Sequence, residues 1–76
     1  MKLAALQAQM YEDGFQPGYP SWGMIDGASI DDEVCRESNC PECGHVGMEH
    51  YPFIIAEEKR YRSIAACPHC HYAEEF

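Results

Sequence analysis

Two C-x2-C pairs set 23 residues apart, in a chain of only 76, predict a small metal-stapled, mainly β domain. Two further observations support that class. Leu, Ile, Val and Phe together number only 12, and the formal net charge is −8. A chain so acidic and so poor in aliphatic side chains stays disordered unless something besides a core fixes it. At this length the buried fraction is small in any case, which argues against a large-core enzyme. Five cysteines are an odd number, so a full disulfide framework leaves one thiol over. Paired cysteines in a reducing compartment more often bind metal than each other.

The chain divides near residue 39. Residues 1–39 form an acidic N-terminal arm with seven carboxylates against Lys2 and Arg36. Residues 40–76 hold four of the five cysteines and all four histidines. Within the arm, Leu3, Leu6 and Met10 recur at helical spacing, which predicts a short helix over residues 2–12 with Gly14 as its stop. Eleven residues are marginal as an isolated helix, so this one must dock. A Pro/Gly loop follows, carrying Phe15, Tyr19 and Trp22. Three aromatics in nine loop residues have two readings. They wrap the metal domain as core, or they anchor another protein, since Trp and Tyr dominate interface hot spots. Ser29-Ile30-Asp31-Asp32 has the pattern of a helix N-cap with early acids, predicting one or two helical turns before Cys35.

The chemistry lies in the two knuckles, Cys40-Pro41-Glu42-Cys43-Gly44-His45 and Cys67-Pro68-His69-Cys70-His71. A C-x2-C turn aims two sulfurs at one ion, and two such turns supply the four ligands of a closed tetrahedral site. Pro in second place fits the turn, and Gly44 permits a backbone conformation other residues resist. Cys40, Cys43, Cys67 and Cys70 are therefore the expected metal ligands. These residues resemble the zinc-ribbon superfamily, over residues 40–76. That resemblance implies a three-stranded antiparallel sheet. Residues 48–55 and 60–66 would form its hairpin about a turn at 56–59, and 71–76 the third strand. Pro52 lacks an N–H and should face a sheet edge or a bulge. His71 stands where ribbons commonly have Gly.

One structural Zn²⁺ is the expected ion, with iron as the alternative. Cys40, Cys43-Gly44, Cys67-Pro68 and Cys70 also resemble rubredoxin, which implies one iron and electron transfer. Cys35-x4-Cys40-x2-Cys43 has the spacing of plant-type [2Fe–2S] ferredoxins, a reading that breaks up the second pair. Substituting His45, His69 or His71 for one cysteine is a further ligand set. Cys35 is otherwise a free thiol, buried or reactive. A nucleophilic Cys35 needs a pocket and an oxyanion site, for which so small a core leaves little room. The expectation is a protein that is not an enzyme.

Charge restricts the partner. Phosphate binders carry basic patches, whereas this chain has five Lys and Arg against thirteen acids. Four thiolates with one Zn²⁺ take the charge to about −10. Nucleic acid is disfavoured, and a basic protein surface suits the field. Glu57 and Glu58 fall at the hairpin tip, where ribbons of transcription elongation factors carry acids, although the Arg-Ser-x-Asp-Glu signature of those ribbons is absent. Lys59, Arg60 and Arg62 with Tyr51, Phe53 and Tyr61 form the competing nucleic-acid reading. Residues 1–10 are too polar for an export signal, and no run is long enough to span a membrane, so the expected location is cytoplasmic. The expected function is a protein-binding adaptor, inhibitor or accessory subunit. Its acidic surface, with Phe15, Tyr19, Trp22, Glu57 and Glu58, would make the contact.

Overall fold

The computed structural model describes residues 2–23 and 25–76, and the side chains of all of these but Ile25 and Asp26. Helix α1, Leu3–Glu12, buries Leu6 and Met10, the stripe its spacing marks. It ends because Gly14 takes φ +92°, a conformation that favours glycine. The Phe15 N–H then bonds the Met10 carbonyl (2.9 Å), and the Gly14 N–H bonds that of Tyr11 (3.1 Å). These two bonds are a Schellman C-cap. The cap turns the chain so that Phe15 drops into the same buried cluster as Met10. Strand β1, Gln16–Pro17, follows at once, and α2 spans Ile25–Glu37.

The hairpin is β2, Glu49–Ile55, and β3, Arg60–Ala66, joined by a 3-10 turn at Ala56–Glu58. Lys59 closes that turn with φ 53°. Strand β4, Ala73–Glu75, completes an antiparallel sheet of order β1-β2-β3-β4. The Pro52 carbonyl accepts from the Gly18 N–H (3.1 Å), so the missing N–H of Pro52 points away from β3, where two-residue β1 has already ended. The proline thus costs the sheet no ladder bond.

Cross-strand register divides the sheet into two faces, since paired residues point the same way. One face carries Phe53, Ile64, Ala66 and Ala73, which meet Leu6, Met10 and Phe15 in the main core. The other carries His50, Ser63, Ala65 and Tyr61, and α2 packs on it through β2 and β3. There Cys35, Met48 and Ala65 form a second, smaller core beside Tyr72. The result is a small, metal-stapled fold organised by its sheet, with one helix on each face.

Three expectations change. The sheet has four strands rather than three, because the chain leaving the α1 cap lies alongside β2 and adds Gln16–Pro17 at the edge. The second helix begins at Ile25, so Ser29 lies in its interior, and Asp31 and Asp32 bond the sheet instead of capping a terminus. Phe15 is 0% exposed, so its ring is core and offers no contact surface.

Candidate metal centre

Both knuckles use one backbone pattern. In the first, the Gly44 N–H bonds the Cys40 carbonyl (2.9 Å) and the Cys40 N–H bonds that of His45 (2.9 Å). In the second, the His71 N–H bonds the Cys67 carbonyl (3.0 Å) and the Cys67 N–H bonds that of Tyr72 (2.7 Å). Closing such a turn needs positive φ at the residue after the second cysteine. Gly44 supplies 75° freely, and His71 supplies 65° at the cost a side chain incurs in the left-handed region. The substitution noted in the sequence therefore leaves the turn intact and strains it.

The Sγ atoms of Cys40, Cys43, Cys67 and Cys70 lie within 4.8 Å of one another. Across the knuckles, Cys40 and Cys70 are 3.5 Å apart and Cys43 and Cys67 are 3.6 Å apart. Tetrahedral coordination with metal–sulfur bonds of about 2.3 Å sets sulfurs about 3.8 Å apart. The four cysteines thus fit one ion, as a zinc-ribbon-like arrangement requires. The same spacing serves tetrahedral iron, so the geometry fixes the ligand set and leaves the element open. The N–H groups of His69 and Cys70 point at the Cys67 sulfur (3.4 and 3.5 Å). Burial pushes the Cys67 thiol up, but these amide bonds together with hydrogen bonds from Cys43 and Cys40 outweigh it and hold it below the ordinary value.

Cys35 stands outside the four-sulfur group. It is 1% exposed, and burial, with Asp31, Asp32 and Glu74 nearby, pushes its thiol up to about 11. It is a neutral core residue of the kind that packs like a small hydrophobe. Nor do histidines join the group. His45 and His69, one from each knuckle, stack with ring centroids 5.9 Å apart and planes 8° apart.

The four ligands differ in access. Cys40 and Cys67 are buried, Cys70 is half-buried and Cys43 is exposed. A cavity of about 360 Å³, lined by Lys2, Glu42, Cys43, Cys70 and Tyr72, opens onto the latter two. The second knuckle also caps α1. Among the described residues no side chain caps that helix, but the Leu3 N–H bonds the His71 carbonyl (2.9 Å) and Lys2 Nζ bonds the Cys70 carbonyl (2.7 Å). A donor that helix ends leave unsatisfied is thus met by the metal-binding turn.

A second constellation joins α2 to the sheet. His50 Nδ1 lies 2.5 Å from Asp32 Oδ1, and His50 Nε2 lies 3.1 Å from Ser63 Oγ. Taken alone, this has the residue types of a Ser-His-Asp relay. However, Ser63 is 2% exposed, and its Oγ lies 2.9 Å from Asp31 Oδ2 and 2.7 Å from the Tyr61 oxygen, so its one proton has acceptors other than His50. A catalytic nucleophile needs reach and a free proton path to its base. Tyr61 donates to Asp31 (2.7 Å) and Tyr19 to Asp32 (3.0 Å), so the seam ties α2 and the aromatic loop to the sheet. Among the described residues every buried side-chain N and O atom has a partner. Sequence reading missed this seam. Its only signal was the alternation of His50 with Pro52 and of Tyr61 with Ser63, which marks one face of a strand pair but not what covers it.

Of the expected contact residues, Glu57 and Glu58 are exposed at the hairpin tip. Tyr19 is 54% exposed, Trp22 is half-buried and Phe15 is internal. Two of the three basic residues near the tip, Arg60 and Arg62, already have partners. Arg62 is bound by Glu75 and by Asp13 (3.2 Å), and the guanidiniums of Arg60 and Arg62 each lie 5.3 Å from the Phe15 ring centre. Phe53 is buried. Among the described residues no helix is long and apolar enough to cross a membrane. Comparison with protein-family models, curated proteins and solved structures gave no match for the chain.

Proposed function

We propose that this is a structural-zinc protein that binds another protein, as an adaptor, inhibitor or accessory subunit. The observation that carries the reading is that Cys40, Cys43, Cys67 and Cys70 supply all four positions of a tetrahedral site. A site filled by four protein sulfurs leaves no position for water or substrate, which is the pattern of structural rather than catalytic zinc. Charge supports a partner with a basic surface, because the net charge is −8 before any metal thiolate is counted. Arg62 is consumed by Asp13 and Glu75, which removes a cation that a phosphate backbone would need.

The contact surface in this reading is the hairpin tip with Glu57 and Glu58, together with Tyr19 and Trp22. A cavity of about 340 Å³ beside the tip, lined by Gly14, Gln16, Ile54, Ile55, Ala56 and Glu57, offers apolar footing next to the acids. The test is affinity capture from nuclease-treated cell extract with the zinc-loaded chain and with a Glu57→Lys/Glu58→Lys variant. A protein retained at low salt and lost with the variant is expected. Recovery of nucleic acid without protein, from extract not treated with nuclease, would overturn the reading. A second reading, one iron held by the same sulfurs for electron transfer, draws support from exposed Cys43, which would bring the metal near a redox partner. Such a protein is coloured and its metal changes oxidation state, whereas a zinc ion does neither.

A further inference from the structure

We propose that Cys43 is an oxidation site at which a hydroperoxide opens the metal centre. The inference rests on the reading that four cysteines hold one zinc ion. It deepens that reading by assigning the sulfurs unequal roles. Metal coordination deprotonates all four thiols, so access, not acidity, separates them. Cys40 and Cys67 are 2% and 1% exposed, whereas Cys43 is exposed and lines the 360 Å³ cavity with half-buried Cys70. A small peroxide fits the opening easily.

The chemistry closes without a further reagent. The Cys43 thiolate attacks one peroxide oxygen, the O–O bond breaks, and the products are Cys43 sulfenic acid and hydroxide. The Cys67 sulfur, 3.6 Å away, then attacks the sulfenic sulfur and displaces a second hydroxide. One disulfide forms between the knuckles, two electrons pass to the peroxide, and two thiolates remain to hold the ion. Two sulfurs do not complete a tetrahedral site, so zinc is released. The consequence reaches the N-terminus, because the carbonyls of Cys70 and His71 in the second knuckle hold Lys2 and Leu3. Oxidation at Cys43 thereby loosens α1 as well as the metal.

The test uses the full zinc-loaded chain with hydrogen peroxide. Zinc release is followed with a colorimetric chelator, and sulfenic acid is trapped with dimedone and mapped by mass spectrometry. The expected result is label on Cys43 before any other cysteine, then a Cys43–Cys67 disulfide with loss of one zinc per disulfide. A chain without zinc at the outset overturns the underlying reading and the inference with it. Zinc present, with label spread evenly or first on Cys70, overturns the inference alone. Because Cys43→Ser can fail to hold zinc, the mapping is done on the native chain, with buried Cys35 as the internal unreactive control.

Discussion

Replacing Phe15 with Ala removes a fully buried ring from a chain with little else to bury. The ring belongs to the cluster of Leu6, Met10, Phe53 and Ile64 and lies under two guanidiniums. Truncating a buried Phe costs about 3–5 kcal/mol through lost transfer energy and the cavity left behind. The two cation–π contacts add up to about 1 kcal/mol each at sites as open as these. A central figure of about 4 kcal/mol is a large share of the 5–15 kcal/mol that ordinary domains have in hand. At this chain length it corresponds to a fall in Tm of about 15–30 °C. The assay is urea or thermal unfolding followed by far-UV circular dichroism, at fixed free zinc because metal binding shifts apparent stability by mass action. The partner-anchor reading of Phe15 predicts the opposite, a variant as stable as the parent and deficient in binding. A loss below about 1 kcal/mol would refute the assignment of Phe15 to the core.

Other predictions follow from single groups. Cys35, held near 11 by burial, resists iodoacetamide at pH 8 in the folded chain and reacts after denaturation with chelator, as intact mass will show. Its stability contribution is whole below 9.0 and is lost as pH rises toward 11, since the folded state disfavours the thiolate. His71→Gly relieves a left-handed side chain and stabilises by about 1 kcal/mol, while Gly44→Ala, at the matching position, destabilises by about as much in the same unfolding assay. Burial raises the Asp32 carboxyl, but hydrogen bonds from His50 and Tyr19 and the nearby charges of His50 and Arg36 outweigh it and hold it below 3.8. The carboxylate's contribution is therefore complete above pH 3.8 and is lost as pH falls through the lower folded value. The stability gap between wild type and Asp32→Asn should narrow in that window, and a gap that widens there would contradict the assignment.

The knuckles and the hairpin were legible because their signals are local. C-x2-C spacing positions two sulfurs whatever surrounds them, and the ribbon pattern that the knuckles resemble laid the hairpin over 48–55 and 60–66, where strands Glu49–Ile55 and Arg60–Ala66 lie. Helix α1 was legible for the same reason, since Leu3, Leu6 and Met10 set its face and Gly14 its end. Helix α2 was not. Its inner face carries Ala28, Asp31, Asp32 and Cys35, while Ile30 and Val34 point outward at 58% and 44% exposure. A helix that turns carboxylates toward the sheet and exposes aliphatics inverts the usual stripe, so Asp31 and Asp32 read as capping residues. Only His50, Ser63 and Tyr61, far along the chain, explain where those acids go. Strand β1 was hidden for a related reason, because Gln16–Pro17 has no strand pattern and pairs only because the α1 cap delivers it to the β2 edge.

The central claim is that four cysteines hold one zinc ion and that this ion holds the fold. Metal content, visible absorption and far-UV circular dichroism before and after chelation, on chain purified without added metal, test it most directly. Structural zinc contributes on the order of 10–16 kcal/mol at neutral pH, more than so small a core supplies. The account predicts one zinc per chain, no colour, and unfolding on chelation that zinc reverses. Iron with a visible chromophore, or a chain that keeps its fold with no metal, would contradict it.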